Sequence, residues 1–276
     1  MFELPEYQVL VRQINATLAG KIIRQAALSN VTHKFVWHNL TSNEFGQLCK
    51  GKKIGKANAR GRWLTVPVEP GYVLVVGECG GKLVYQEQAT KRPSKFHLLI
   101  EFEDGSFLFG VTQMWGAYDL YPKGEEKKRK YIKDMRPTPL DRAFTFKYFG
   151  DLMIEVAAEK RTSAKGLLTQ AQWVPGLGNA IAQDILFKAC LHPRHNIASL
   201  GAKQKRELYD AILATVNEVI KKGGRYDEYD LFGQPGQYVR LMDKRAVGRP
   251  CPQCGAKVEK IAYLGGACYF CPHCQV

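Results

Sequence analysis

Between residues 4 and 20, Tyr7, Leu10, Val11, Ile14 and Leu18 recur at helical spacing on one face. Pro5 suits a first turn and Gly20 a stop, so the pattern predicts a helix packed on a core. From Lys21 to about Tyr121 the period shortens to β runs, among them residues 62–68, 72–76 and 96–102. Asp104-Gly105, between residues 96–102 and 107–111, reads as a hairpin turn. Many short strands with turn residues between them predict a two-sheet β-sandwich. From Phe146 to Lys222 helical spacing returns, with Leu208, Ile212, Val216, Val219 and Ile220 on one face. A poorly periodic segment follows Gly223-Gly224, with a turn at residues 233–236. The fold class expected is α+β, and no internal repeat is visible.

One stretch, residues 162–179, stands out. Leu167, Leu168 and Ala171 predict a short amphipathic helix, which Pro175-Gly-Leu-Gly178 then breaks. Asn179 reads as the N-cap of a second helix that stops near Pro193. Glycines before a capped helix N-terminus let backbone N–H groups converge beside the positive end of the dipole, which suits a phosphate. A plain helix hairpin with a flexible loop fits the same local pattern.

The 276 residues are enough for two modest domains, and a 45% hydrophobic content makes the chain globular. A formal net charge of +14 implies an anionic partner. Nucleic acid, DNA or RNA, comes first. An acidic membrane surface comes second, because no lysine-rich amphipathic helix with a bulky apolar face is present. No long apolar run and no signal-peptide pattern appear, so the expected setting is the reducing cytoplasm. Residues 122–139 carry Lys123, Lys127, Lys128, Arg129, Lys130, Lys133 and Arg136. Such a run is either a solvated surface or an approach to phosphates.

Cys251-Pro-Gln-Cys254 and Cys271-Pro-His-Cys274 are two CxxC knuckles. In a reducing compartment they read as a four-thiolate zinc site. With no open coordination position, the zinc is expected to be structural. The intervening residues read as a hairpin around Gly265-Gly266. A module of about 26 residues has little core of its own, so metal should supply its folding energy. His273 is surplus to the site. Cys49, Cys79, Cys190 and Cys268 are expected to be buried thiols.

The stretch "WVPGLGNAIAQDILFKACLHP" resembles the helix–two-turn–helix of the formamidopyrimidine-DNA glycosylase / endonuclease VIII family. The terminal ribbon and the opening Met1-Phe-Glu-Leu-Pro-Glu6 resemble the same family, so the likeness runs from residue 3 to residue 275. It implies domains at residues 1–122, 141–246 and 247–276: a sandwich, a helix–two-turn–helix domain and a zinc ribbon, with a basic linker at 123–140. It also implies DNA repair by base excision, on damaged duplex DNA with a flipped nucleotide, by a monomer at the nucleoid. Asn179 would bind a phosphate beside the lesion. Lys165, Lys95, Gln113, Trp115 and Gly266 fall at or near other DNA-contacting positions. Trp115 would be the wedge, although a core tryptophan at a strand end fits the local sequence equally.

The resemblance weakens at the chemistry. The family exposes an N-terminal proline whose amine attacks the sugar. Here Phe2 holds that place and should keep Met1 on, so the free amine lies about 3.8 Å earlier along the chain. Arg62 stands where the family carries a lysine, and a guanidinium shuttles protons poorly. Gly265-Gly266 replaces a finger arginine. Glu3 is retained and is the expected acid/base group, whereas Glu6 is expected only to favour the helix dipole. Two readings follow: a glycosylase of altered chemistry resting on Glu3, with strand cleavage weak or absent, or a non-catalytic binder of damaged DNA.

Overall fold

The predicted first helix forms as α1, Leu4–Thr17, and buries Tyr7, Leu10 and Ile14. In the computed structural model residues 1–87 and 92–276 are described, Lys130 and Tyr131 by backbone alone. The chain divides into two units, Met1–Asp134 with Val219–Tyr238, and Met135–Glu218 with Val239–Val276. These bounds differ from those expected: residues 219–238 return to the first unit, and the ribbon is part of the second.

The first unit is the expected sandwich. Strands β1 (Ile23–Leu28), β2 (Val36–Trp37), β3 (Lys53–Ile54), β4 (Asn58–Arg60) and β5 (Trp63–Glu69) come first. They are followed by β6 (Tyr72–Gly77), β7 (Gly81–Gln86), β8 (Leu98–Phe102), β9 (Phe107–Thr112) and β10 (Gly116–Pro122). One sheet runs β1-β8-β9-β7, the other β2-β10-β6-β5-β3 with β4 against β5. Pairing is antiparallel except for β2, which runs parallel to β10. Phe2, Tyr7, Leu10, Ile14, Leu64, Val76, Leu98, Ile100, Tyr118 and Leu231 share the core. A region read as β alone also contains a helix, α2, Ser42–Cys49. Its signal was present: Thr41 caps it and Glu44 reaches back to the Thr41 N–H at 2.8 Å, a capping box.

The β8–β9 hairpin turns at Asp104-Gly105, where Gly105 has φ +84°. Asp104 accepts from the Ser106 N–H at 3.0 Å and pairs with Lys21. Its bonds to Lys21 and Ser106 lower the carboxyl to about 2. A depressed carboxyl stabilises the fold above its unfolded pKa, and that stability is lost as pH falls through the folded value. Acid titration of wild type should therefore show a small loss between about pH 4 and pH 2. Asp104→Asn should remove it; an unchanged acid limb would show that the pair contributes nothing.

The basic run after β10 forms a short turn and α3 (Lys130–Lys133). Lys128 pairs with Glu125, Arg129 with Asp119, and Arg136 with Glu155. Part of the run is thus held by carboxylates; the Lys130 side chain lies outside the described residues.

The second unit is not one helical run. It holds α4 (Phe146–Glu159), α5 (Ala164–Thr169) and α6 (Asn179–Lys188), and α7 (Ala202–Lys221) carries the chain back to the first unit. Ala171 falls outside α5 with φ +49°. The ribbon strands are β11 (Glu259–Tyr263) and β12 (Gly266–Phe270). Their turn centres on Leu264-Gly265, one residue earlier than expected, because both residues take positive φ. Phe187 of α6 packs with Met242, Cys251, Val258 and Cys271. Buried Asp184 accepts from the N–H groups of Leu241 and Met242 at 3.0 and 2.8 Å, tying α6 to the chain that leads to the ribbon. Among the described residues no helix is long and apolar enough to cross a membrane.

Candidate functional site

In the first unit the chain start is fixed at both backbone ends of Met1. Its ammonium donates to Glu228 Oε1 at 2.6 Å, and Arg225 Nη2 donates to the Met1 carbonyl at 2.8 Å. The same guanidinium donates to Glu6 from Nε at 3.0 Å and to Glu228 at 3.3 Å, and lies 3.8 Å from Glu3. Burial works against the Arg225 charge, but the carboxylates of Glu6, Glu3 and Glu228 outweigh it and raise its pKa. Burial pushes the Glu228 carboxyl up, against the pull of Arg225 and the terminal ammonium. Glu6 is therefore more than a dipole partner. It is buried and accepts from the backbone N–H and the side chain of Arg225, and from the Glu3 N–H at 2.9 Å.

Phe2 is buried edge-on against Tyr7, and its N–H donates to the Cys79 carbonyl at 2.9 Å. That nitrogen is a peptide amide with no basic lone pair. Arg62, on the turn between β4 and β5, pairs with Glu78 at 3.2 Å, and its Nη1 lies 3.9 Å from the Met1 sulfur. Cys79 is buried among the Tyr118 and Thr112 hydroxyls, and burial pushes its thiol up to about 11, so it is an inert thiol.

The loop between β9 and β10 is clamped beside this site. The N–H groups of Gln113 and Met114 donate to the Gly80 carbonyl, and the Gly80 N–H donates to the Trp115 carbonyl at 2.9 Å. A Cβ at Gly81 would lie 1.9 Å from the Val111 carbonyl, so glycine permits the close approach. Gln113 and Trp115 are exposed, which sets aside the core reading of Trp115. Lys95 is exposed on a bend before β8.

In the second unit Asn179 is exposed but is not the cap. Gly178 takes the cap position in extended backbone, and Asn179 is the first helical residue of α6. Its Nδ2 donates to the Ala267 carbonyl at 3.3 Å, and Gln183 Nε2 donates to that carbonyl and to Asn179 Oδ1. Gly266 lies against Asn179, where an added Cβ would come within 3.3 Å of its amide. The hairpin tip and the start of α6 thus form one surface. Lys165 does not offer an exposed charge: it is buried, and its Nζ donates to the Tyr263 carbonyl at 2.6 Å. Its role here is to seat the hairpin.

Cys251, Cys254, Cys271 and Cys274 converge with their sulfurs within 4.8 Å of one another. The pairs Cys251–Cys274 and Cys254–Cys271 are 3.9 and 3.4 Å apart. Four sulfurs about 2.3 Å from a tetrahedral ion lie roughly 3.8 Å apart, so the set fits zinc and leaves no open position. The zinc is structural. Of the other thiols, Cys49, Cys79 and Cys268 are buried as expected, but Cys190 is exposed, at φ +53° just beyond α6.

The architecture is matched by known proteins. The model of the formamidopyrimidine-DNA glycosylase N-terminal domain matches residues 1–113, and that of the H2TH domain matches residues 135–228. A formamidopyrimidine-DNA glycosylase of Desulforamulus reducens is 30% identical over 282 residues, covering 100% of this chain and 99% of its own length. The chain belongs to the formamidopyrimidine-DNA glycosylase family. A Bacillus cereus relative of the same name is 28% identical over 280 residues, with 100% and 99% coverage. The MutM (Fpg) structure from Thermus thermophilus matches with TM-score 0.82 and 26% identity, over 99% and 98% of the two chains. Lactococcus lactis Fpg in complex with abasic-site DNA matches in fold with TM-score 0.85 at 24% identity, over 99% of each chain. Within this family frame, Arg225, Glu228 and Gln183 are the site residues that sequence reading did not single out. Gln183 had a signal, its i+4 spacing from Asn179. Arg225 and Glu228 lie in the poorly periodic segment and had none.

Proposed function

We propose that this protein binds duplex DNA where a base has left the stack and acts on the exposed sugar through the α-amine of Met1. The observation that carries the reading is the Met1 ammonium, 2.6 Å from Glu228, with its carbonyl gripped by Arg225. The resemblance places a proline nucleophile at position 2, but the Phe2 nitrogen is a peptide amide bonded to Cys79. Glu228 touches the amine, whereas Glu3 faces Arg225, so Glu228 is the better proton acceptor. On an abasic site the freed amine attacks the C1′ aldehyde carbon. A proton passes to the carbonyl oxygen, water leaves, and an imine joins Met1 to the sugar.

Strand cleavage by elimination is expected to be slow. A guanidinium at position 62 is a poor proton shuttle, and the hairpin tip at Leu264-Gly265 carries no charge for the phosphates. Asn179 and the ribbon surface beside it supply phosphate contacts that position the duplex without reading sequence. A cytoplasmic setting beside chromosomal DNA is part of this reading, supported by the bacterial relatives.

The test is borohydride trapping on an abasic duplex, with intact mass used to verify Met1 at the terminus. Wild type should give a covalent adduct. An N-terminally acetylated protein should give none, and Glu228→Ala should slow trapping about 100-fold, the ordinary scale of general-base assistance. Binding without any adduct would overturn the amine reading and leave a glycosylase resting on Glu3 or a non-catalytic damage binder, which base release lost in Glu3→Gln would tell apart.

A further inference from the structure

Three large aromatic side chains form one exposed cluster in the first unit. Phe35 is 37% exposed, Trp37 45% and Trp115 41%. Trp37 stacks on Trp115 with centroids 5.4 Å apart and planes 23° apart, and Phe35 lies 4.5 Å from Trp115 on the same assembly. Soluble proteins seldom leave such a group in water without a use.

The cluster is rigidly mounted. β2 runs parallel to β10, pairing Val36 with Gly116 and Trp37 with Ala117, and the Gly116 N–H donates to the Phe35 carbonyl at 3.0 Å. Asn39 exchanges two hydrogen bonds with the Leu120 backbone, both at 2.9 Å. The rings therefore need little ordering on binding.

The surroundings select a polyanion. Residues 29–38, 92–98 and 111–118 contain no Asp or Glu and carry Lys34 and Lys95, while Arg92 is paired with Glu101 at 2.7 Å. Lys34 Nζ sits 5.5 Å from the Phe35 ring centroid. Asn30 bonds Ser94 and Phe96, which brings the Lys95 bend to the same loop. Flat rings on loops that carry Lys34 and Lys95 and no acid of their own suit unpaired bases, each of which offers a π-face, on a phosphate backbone.

We propose that Trp37, with Phe35, extends Trp115 into a stacking platform for a second unpaired base. The preferred ligand is then DNA with two or more consecutive unpaired nucleotides, such as a small bubble, rather than a single missing base in an intact helix. This rests on the DNA-binding reading above. Trp115 alone would serve one orphaned position; the second indole has use only where the neighbouring base is also unstacked.

The test measures affinity by fluorescence anisotropy on three duplexes: intact, with one abasic site, and with a three-nucleotide bubble. Wild type should bind the bubble tightest. Trp37→Ala should lose about tenfold on the bubble, the scale of one stacked base, and less than twofold on the single abasic site. Trp37→Phe should recover most of the loss, and a thermal melt matching wild type shows that the variants fold. Equal losses on all three duplexes, no loss at all, or a wild type that does not prefer the bubble to the single abasic site would overturn the platform while leaving the DNA-binding reading intact. Failure of wild type to bind any of the three would remove both.

Discussion

Arg225→Met is expected to destabilise the first unit by about 3–5 kcal/mol, the usual loss when one partner of a buried ion pair is removed. Arg225 is 2% exposed and bonds Glu6, Glu228 and the Met1 carbonyl. Without it, Glu3, Glu6 and Glu228 would lose the guanidinium they share, with Glu228 still bonded to the terminal ammonium. Glu6→Leu alone should also cost stability, because it leaves the guanidinium short of its closest carboxylate. The double variant should recover part of the sum, since an apolar pair leaves no buried charge at that contact. Denaturant unfolding of the four proteins decides the matter; a loss below about 1 kcal/mol for Arg225→Met, the range of surface pairs, would mean that the cluster is solvated and weak.

Removing the zinc should have the larger effect on DNA binding. Structural zinc sites supply on the order of 10 kcal/mol or more to small modules. The ribbon core here is little more than Cys251, Val258 and Cys271 against Phe187 and Met242. Cys271→Ser or strong chelation should unfold β11 and β12. Asn179 and Gln183 then lose the Ala267 carbonyl, and buried Lys165 loses the Tyr263 carbonyl. Affinity for abasic duplex should fall more than tenfold, as phosphate contacts go with the surface that holds them. The sandwich should stay folded, because among the described residues its core cluster is built from the first unit's own side chains. Metal analysis should give one zinc per chain; an ordered ribbon in metal-free protein would sink this account.

The chain alone determined those features whose cause is local. The stripe from Tyr7 to Leu18 fixed α1, because helix period and burial coincide over a few turns. Asp104-Gly105 fixed the β8–β9 hairpin, because only certain residues take that turn. The two CxxC pairs fixed the zinc site, because ligand spacing and thiolate chemistry leave few alternatives. The capping box at Thr41 and Glu44 was equally local and marked α2 inside a region of strands.

Only the tertiary structure decided the rest. Arg225 meets Glu6 across 219 residues of chain, and the Met1 ammonium meets Glu228 across 227. Neither pair has a periodicity or spacing to announce it. Lys165 resembled a phosphate ligand by position, yet burial and the Tyr263 carbonyl gave its charge a structural partner. Asn179 passed from cap to first helical residue, and its side chain bonds the Ala267 carbonyl of the hairpin instead of its own helix start. Trp37 drew no notice in a two-residue strand until β10 set it against Trp115. Local energies write helices, turns and metal knuckles into the sequence; charge pairs and ring stacks depend on which distant segments the fold brings together.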